Sequence, residues 1–185
     1  MKSTARLTYS EVQTAHDGRP DGQTAPLMAT VIEPLYGAFA TLLKSRNCRS
    51  PLELDVPERR IEMSDGGTVR AITKRERLDS HRLIEEFMIT ANVAAAETLE
   101  KQRQPCMYRI HDRPSKEKAD ALNQFLRSLD LQFAKGQVPQ PRQFNQILSS
   151  VEGEPEAHMV NQMILRSQAQ AEYSPHNIGH FGLAL

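Results

Sequence analysis

Hydrolysing a phosphodiester with a divalent cation needs several carboxylates that converge on one or two hard ions, which prefer oxygen ligands. The aspartates here are Asp17, Asp21, Asp55, Asp65, Asp79, Asp112, Asp120 and Asp130, and the closest pair, Asp17 and Asp21, sits beside glycines in an expected turn. No dense acidic motif appears, so a cation site would need aspartates far apart in sequence to meet in space. His16, His81, His111, His158, His176 and His180 show neither HExxH nor Cys/His spacing. His176 and His180 are four apart but flank Asn177-Ile178-Gly179, which disfavours a shared helix face, so a loop histidine and a packing histidine are expected. Neither Cys48 nor Cys106 has a histidine nearby in an orienting pattern, which argues against a cysteine nucleophile.

Three other features carry possible chemistry. Within Ser80-His81-Arg82-Leu83-Ile84-Glu85-Glu86-Phe87-Met88-Ile89, the positions His81, Glu85, Met88 and Asn92 fall on one helix face, so Glu85 can pair with His81 at the margin of an apolar stripe. On spacing alone this is an ordinary solvated helix edge. Tyr9 offers a ring on which a base of single-stranded nucleic acid can stack, although a tyrosine in a strand more commonly packs in a core or interface. Arg70, Lys74, Arg75 and Arg77 form the densest basic stretch, but Glu76 and Asp79 are interleaved, and a solvated face explains them as well as phosphate contact does.

The elements that must hold these residues follow from periodicity. Ala5–Val12 alternates apolar and polar side chains and reads as a short strand carrying Tyr9, followed by a loop over 16–23. From Ala25 to Arg46, apolar residues recur at helical spacing, with Pro34 expected to kink or split the helix. Residues 60–63 and 68–72 flank Asp65-Gly66-Gly67, a hairpin signal. A long helix is expected from an Asp79 or Ser80 cap to about Lys101, burying Leu83, Ile84, Phe87, Met88, Ala91, Ala94 and Ala95. A strand over 106–111 follows, then a Ser115-capped helix to about Leu129. Pro139 and Pro141 mark a linker, a short helix runs through Phe144, Ile147 and Leu148, and a last helix spans about Glu154 to Ala171, burying Met159, Val160, Met163, Ile164 and Ala171. The fold class is therefore α+β, about half helical with short antiparallel strands.

Composition bounds the rest. The 185 residues fit one domain or a large part of one, and 39% hydrophobic with 25% charged residues is ordinary for a folded globular chain. Twenty-three basic residues balance 23 acidic ones, so any role with nucleic acid rests on local basic stretches or on parts of a larger protein. The cysteines match no disulfide framework, no apolar run approaches the roughly 18 residues of a membrane span, and no secretory leader is evident. A cytoplasmic protein with no membrane partner is expected.

Several blocks, taken in order, resemble the central part of the ribonuclease II/ribonuclease R catalytic (RNB) domain. They are Ala5-Arg6-Leu7-Thr8-Tyr9, Glu53-Leu54-Asp55-Val56-Pro57-Glu58, the stretch Ser80 to Asn92, Tyr108 to Pro114, Met163 to Ser167, and Gly179-His180-Phe181-Gly182-Leu183-Ala184-Leu185. The resemblance spans nearly the whole chain, is most specific at Ser80–Asn92 and Gly179–Leu185, and is weakest from Ser10 to Cys48. It implies a processive, Mg²⁺-dependent 3′-to-5′ exoribonuclease that threads single-stranded RNA into a narrow channel and releases nucleoside monophosphates. Tyr9 then matches a tyrosine that stacks near the RNA 3′ end. One of Glu85 and Glu86 is expected to line the channel; helix geometry favours Glu85, and Glu86 stays open.

Two departures qualify the resemblance. The family's Asp-rich metal motif lies upstream of the Ala5–Tyr9 block, where only Met1 to Thr4 stand, and its arginine motif follows the Gly179–Leu185 block, where the sequence stops. The expectation is a partial RNB catalytic domain over 1–185, with no metal ligands of its own, inactive alone, and with single-stranded RNA and the missing N-terminal part of the domain as partners. It is also expected to be of low stability and to associate through its apolar C-terminal end. The alternative is a noncatalytic RNB-like subunit that binds RNA or completes a partner supplying the aspartates. A third reading, an unrelated helical interaction protein, leaves the collinear blocks to chance.

Overall fold

The computed structural model describes residues 3–56, 59–74, 76–133 and 139–185. The chain divides into two compact units, Met1–Ser45 with Arg59–Arg103, and Arg46–Glu58 with Gln104–Leu185. It is 53% helical, with two separate two-stranded antiparallel sheets among the described residues, which makes it α+β as expected. Pro57, Glu58 and Arg75, named above in sequence blocks, lie outside the described residues.

In the first unit the chain enters through helix α1 (Tyr9–His16), not the strand that alternation suggested. The correction has a local cause. Thr8 and Glu11 form a reciprocal capping box: the Thr8 hydroxyl accepts the Glu11 N–H at 3.3 Å, and a Glu11 carboxylate oxygen accepts the Thr8 N–H at 2.6 Å. The Thr8 N–H, and then the Thr8 hydroxyl donating to the same oxygen at 2.8 Å, pull the exposed Glu11 carboxyl below the usual carboxylate range. A capped helix start outweighs a weak two-residue alternation.

The expected break near Pro34 is present. A 3₁₀ turn (Ala25–Leu27) and a π turn (Met28–Ile32) precede helix α2 (Glu33–Arg49), so the irregularity falls just before the proline. Pro34 has no N–H for the carbonyl one turn back, and the Glu33 N–H reaches past it to the Met28 carbonyl. Ala25–Arg49 is long and apolar enough, by length and composition, to cross a membrane, which corrects the expectation that no run approaches that length. A core helix passes the same test, and Ile32, Tyr36 and Phe39 of this run are buried with Ala15 and Leu83.

Strands β1 (Arg59–Met63) and β2 (Val69–Lys74) form the expected hairpin, with Ile61 opposite Ile72 and Met63 opposite Val69. Gly67 turns it with φ of 76°, and Ser64 and Thr68 close the turn, the Ser64 N–H reaching the Thr68 carbonyl at 2.8 Å.

Helix α3 (Asp79–Lys101) has its expected length but a different cap and face. Leu78 is the cap residue, and the ring Nδ1 of His81 accepts its N–H at 3.2 Å. Ser80, expected as a cap, is buried in the first turn. The buried face is Ser80, Leu83 and Glu86, whereas Ile84, Met88, Ala91, Ala94 and Ala95 are exposed. Polar anchoring of Ser80 turns the helix, and hydrophobicity alone could not report it.

The second unit is built on strands β3 (Tyr108–Ile110) and β4 (Glu172–Ser174) and helices α4 (Lys116–Arg127), α5 (Pro141–Ser150) and α6 (Ala157–Ser167). Ser115 caps α4 as expected, and Pro141 occupies the permitted first position of α5. Helix α6 is shorter than expected: Val160 and Ile164 are buried, Met159 is exposed, and Ala171 lies beyond its end. Phe144 is wholly buried among Leu122, Leu126, Val160 and Ile164, with Phe133 and Phe181 meeting it edge-on at 5.2 and 6.2 Å.

Two asparagines pin residues 50–55 across these helices. Asn145 accepts the Glu53 N–H at 2.9 Å and donates to the Pro51 carbonyl at 2.7 Å, and Asn161 accepts the Asp55 N–H at 2.9 Å. Each side-chain amide replaces a missing backbone partner, so an extended segment without a sheet stays satisfied. The nearly buried Arg46 adds an ion pair to Glu53 at 2.7 Å.

The C-terminal block folds back onto this unit. Phe181 N–H donates to the His111 carbonyl at 2.8 Å, and His180 N–H to the Leu185 carbonyl at 2.8 Å. Gly179 has φ of +84°, and a Cβ there would lie 2.5 Å from the Leu185 carbonyl oxygen; one on Gly182 would meet the His111 ring at 3.0 Å. The glycines of this block are thus steric requirements.

Candidate nucleic-acid interface

The first unit brings the start of α1 against the start of α3. Tyr9, the first residue of α1, stacks on His81 with ring centroids 4.3 Å apart and planes 24° apart, yet remains 44% exposed. The Ser80 hydroxyl donates to the Tyr9 carbonyl at 2.8 Å, and the Ser80 N–H donates to Gln13 Oε1 at 3.0 Å. The same Gln13 oxygen accepts the Tyr36 hydroxyl at 3.3 Å, while Gln13 Nε2 donates to Asp17 at 3.0 Å. Burial, then the charges of Asp79 and Asp17, push the Tyr36 hydroxyl above its ordinary value, which keeps it a donor. Behind it, His16 stacks on Tyr36 at 3.5 Å.

This arrangement gives Tyr9 a fixed ring with an open surface. Its backbone carbonyl is tied to Ser80, and its ring rests on His81, whose Nδ1 is committed to Leu78 and whose Nε2 therefore carries the proton in the neutral form. A rigid, partly exposed aromatic loses little entropy on accepting a flat ligand.

The two glutamates separate. Glu85 is half-exposed and pairs with Arg77, not with His81 as the helix spacing allowed. Glu86 is 4% exposed and lies on the buried face with Ser80 and Leu83. Tyr9 and the helix bearing both glutamates thus belong to one unit, and Ser80 and His81 link them. Sequence reasoning passed over Ser80, Gln13 and His81 as the tyrosine's supports; Thr8-x-x-Glu11 was the signal that would have turned Tyr9 from a strand to a helix start. Of the basic stretch, Arg70 and Lys74 lie on β2 and Arg77 is engaged by Glu85.

Among the described residues no three His, Cys, Asp or Glu side chains gather into a group that could hold a metal ion.

A family model described as the RNB domain matches residues 1–185. The chain belongs to the RNB family. It is 40% identical to ribonuclease R of Escherichia coli strain K12 over 187 residues, covering 100% of this chain and 23% of that protein. It is 36% identical to ribonuclease R of Aquifex aeolicus, again over 100% of the chain and 26% of the relative. The chain thus spans about a quarter of the length of these RNB relatives. Among solved structures, Mycoplasma genitalium RNase R in complex with ribose-methylated single-stranded RNA superposes with a TM-score of 0.86 at 20% identity, over 97% of this chain and 28% of that one. The same protein in complex with double-stranded RNA gives the same score over 32% of its chain. These likenesses establish the RNB fold of the segment.

Proposed function

We propose that these residues are a segment of a ribonuclease R-type, processive 3′-to-5′ exoribonuclease acting on single-stranded RNA, and that they hold and guide the RNA without cutting it alone. Tyr9 stacks a base near the 3′ end, and the start of α3 carries Glu85 and Glu86 alongside the path. Mg²⁺ is the ion this reading requires. The observation that carries the reading is the exposed Tyr9 ring, fixed on His81 and Ser80, in a chain of the RNB family. We place the protein in the cytoplasm, where Cys48 and Cys106, both free, stay reduced.

The test mixes the chain with a polypeptide supplying the N-terminal part of an RNB domain and follows a uniformly labelled single-stranded RNA. The expected result is no cleavage by the chain alone and Mg²⁺-dependent release of mononucleotides from the mixture. EDTA-sensitive degradation by the purified chain alone overturns the division of labour. RNA binding with no gain on mixing favours a noncatalytic RNA-binding subunit.

A further inference from the structure

The second unit holds an open cavity of about 490 Å³ between α4, α6 and the C-terminal block. Lys118, Arg166, His111 and His180 line it together with Gln168 and Gln170, and among the described residues no carboxylate does. Every ionisable side chain on its wall is therefore a cation or becomes one.

The polar side chains of this wall differ in how far protein acceptors occupy their donors. His111 is fully used: its Nδ1 accepts the Gly182 N–H at 3.0 Å, which leaves its Nε2 proton for the Ala169 carbonyl at 3.0 Å. His180 is half used, because its Nδ1 accepts the Leu183 N–H at 3.3 Å and its Nε2–H has no partner among the described residues. Lys118 gives one of three ammonium hydrogens to the Gln168 carbonyl at 2.9 Å. Arg166 is exposed and has no hydrogen bond or ion pair among the described residues. Lys118 and Arg166 are exposed, so water serves their remaining donors, and an anion with several acceptor oxygens can replace that water without burying either charge.

We propose that this cavity is a binding site for a phosphate-type oxyanion, held by Lys118, Arg166 and the Nε2–H of His180. The guanidinium fork and the ammonium suit a tetrahedral anion with several acceptor oxygens, and the neutral imidazole supplies a directed third donor. The local field agrees: burial first, then His111 and Arg109, disfavour a proton on His180, so the nearby charges acting on it are positive. Two sources share this chemistry, a free phosphate and a phosphodiester of a bound strand. The site does not depend on the Tyr9 reading, because inorganic phosphate alone reports it.

The experiment is a titration of the ¹⁵N-labelled chain with sodium phosphate at neutral pH, read from imidazole ¹H–¹⁵N shifts, against sodium chloride of equal ionic strength. Separate arms use a nucleoside 5′-monophosphate and a short single-stranded RNA. A saturable shift of the His180 Nε2 resonance with phosphate is expected, and Lys118→Gln/Arg166→Gln should weaken it at least about tenfold. Both residues are exposed, and retained amide dispersion confirms that the variant is folded. Saturation by inorganic phosphate identifies a free-anion site, and a shift with RNA alone identifies a backbone phosphate; either supports the proposal. A response equal to that of chloride in every arm, or an unchanged affinity in the double variant, overturns it.

Discussion

Tyr9 keeps 44% of its surface open while both its ring and its backbone are tied to α3, so its substitution separates contact from support. Loss of one base stack costs about 1–3 kcal/mol, so Tyr9→Ala should weaken single-stranded RNA binding roughly five- to a hundredfold, and Tyr9→Phe should leave it nearly intact. Equal affinities for all three proteins, by fluorescence anisotropy, would remove Tyr9 from the interface. The glutamates call for a different measurement. Glu85→Ala breaks an exposed pair with Arg77 and should change stability by less than about 1 kcal/mol, whereas Glu86→Ala removes a buried polar group from a packed face and should cost about 1–3 kcal/mol. Urea unfolding of the two variants distinguishes them, and the opposite ranking would mean that α3 presents a different face. From the sequence, the paired glutamates were visible as residues but not as unequal ones. Their difference comes from the rotation of α3 set by Ser80, a tertiary contact with no periodic signature.

At the scale of elements, α1 shows how a short capping motif decides what a hydrophobic pattern leaves ambiguous. Thr8→Ala deletes one half of the capping box and should cost about 1 kcal/mol. It should also loosen Tyr9, visible as weaker near-ultraviolet tyrosine dichroism, and an unchanged melt would show that Ser80 and Gln13 hold α1 without the cap. The hairpin, the Ser115 cap of α4 and the proline start of α5 were legible because each rests on chemistry within a few residues. The pinning of residues 50–55 was not, since Asn145 and Asn161 act across about a hundred residues of sequence and carry no local mark. The Tyr9 site falls between these cases. Its family blocks named the tyrosine and the glutamates, but the histidine stack and the glutamine bridge arise only when two helix starts meet.

Across the whole molecule, the C-terminal block is where pH should act. Its apolar end is folded back on its own unit, with Phe181 against Phe144 and Leu185 bonded to His180 through both backbone groups. Burial, the neighbouring His111 and Arg109 hold His180 below its ordinary value of 6.5, with a backbone hydrogen bond opposing them only in part. The unfolded chain therefore takes up this proton at a higher pH than the folded one. Stability from this residue is fully present above about pH 6.5 and falls as pH drops through the lowered folded value. The carboxylates of Glu11 and Asp21 are also lowered, but from 4.5 and 3.8, so their losses belong to more acidic solutions. In phosphate-free buffer the melting temperature should be flat with respect to His180 between about pH 7 and 8 and decline towards about pH 5.5. His180→Asn, which cannot take up a proton but still offers an oxygen to the Leu183 N–H, should flatten that decline while lowering the plateau through loss of the ring's packing against His111. Adding phosphate to the parent chain should raise the curve, because an anion on Lys118 and Arg166 also favours the protonated ring. A parent and variant with parallel curves over this range would show that the C-terminal block is held by its glycines and Phe181 alone.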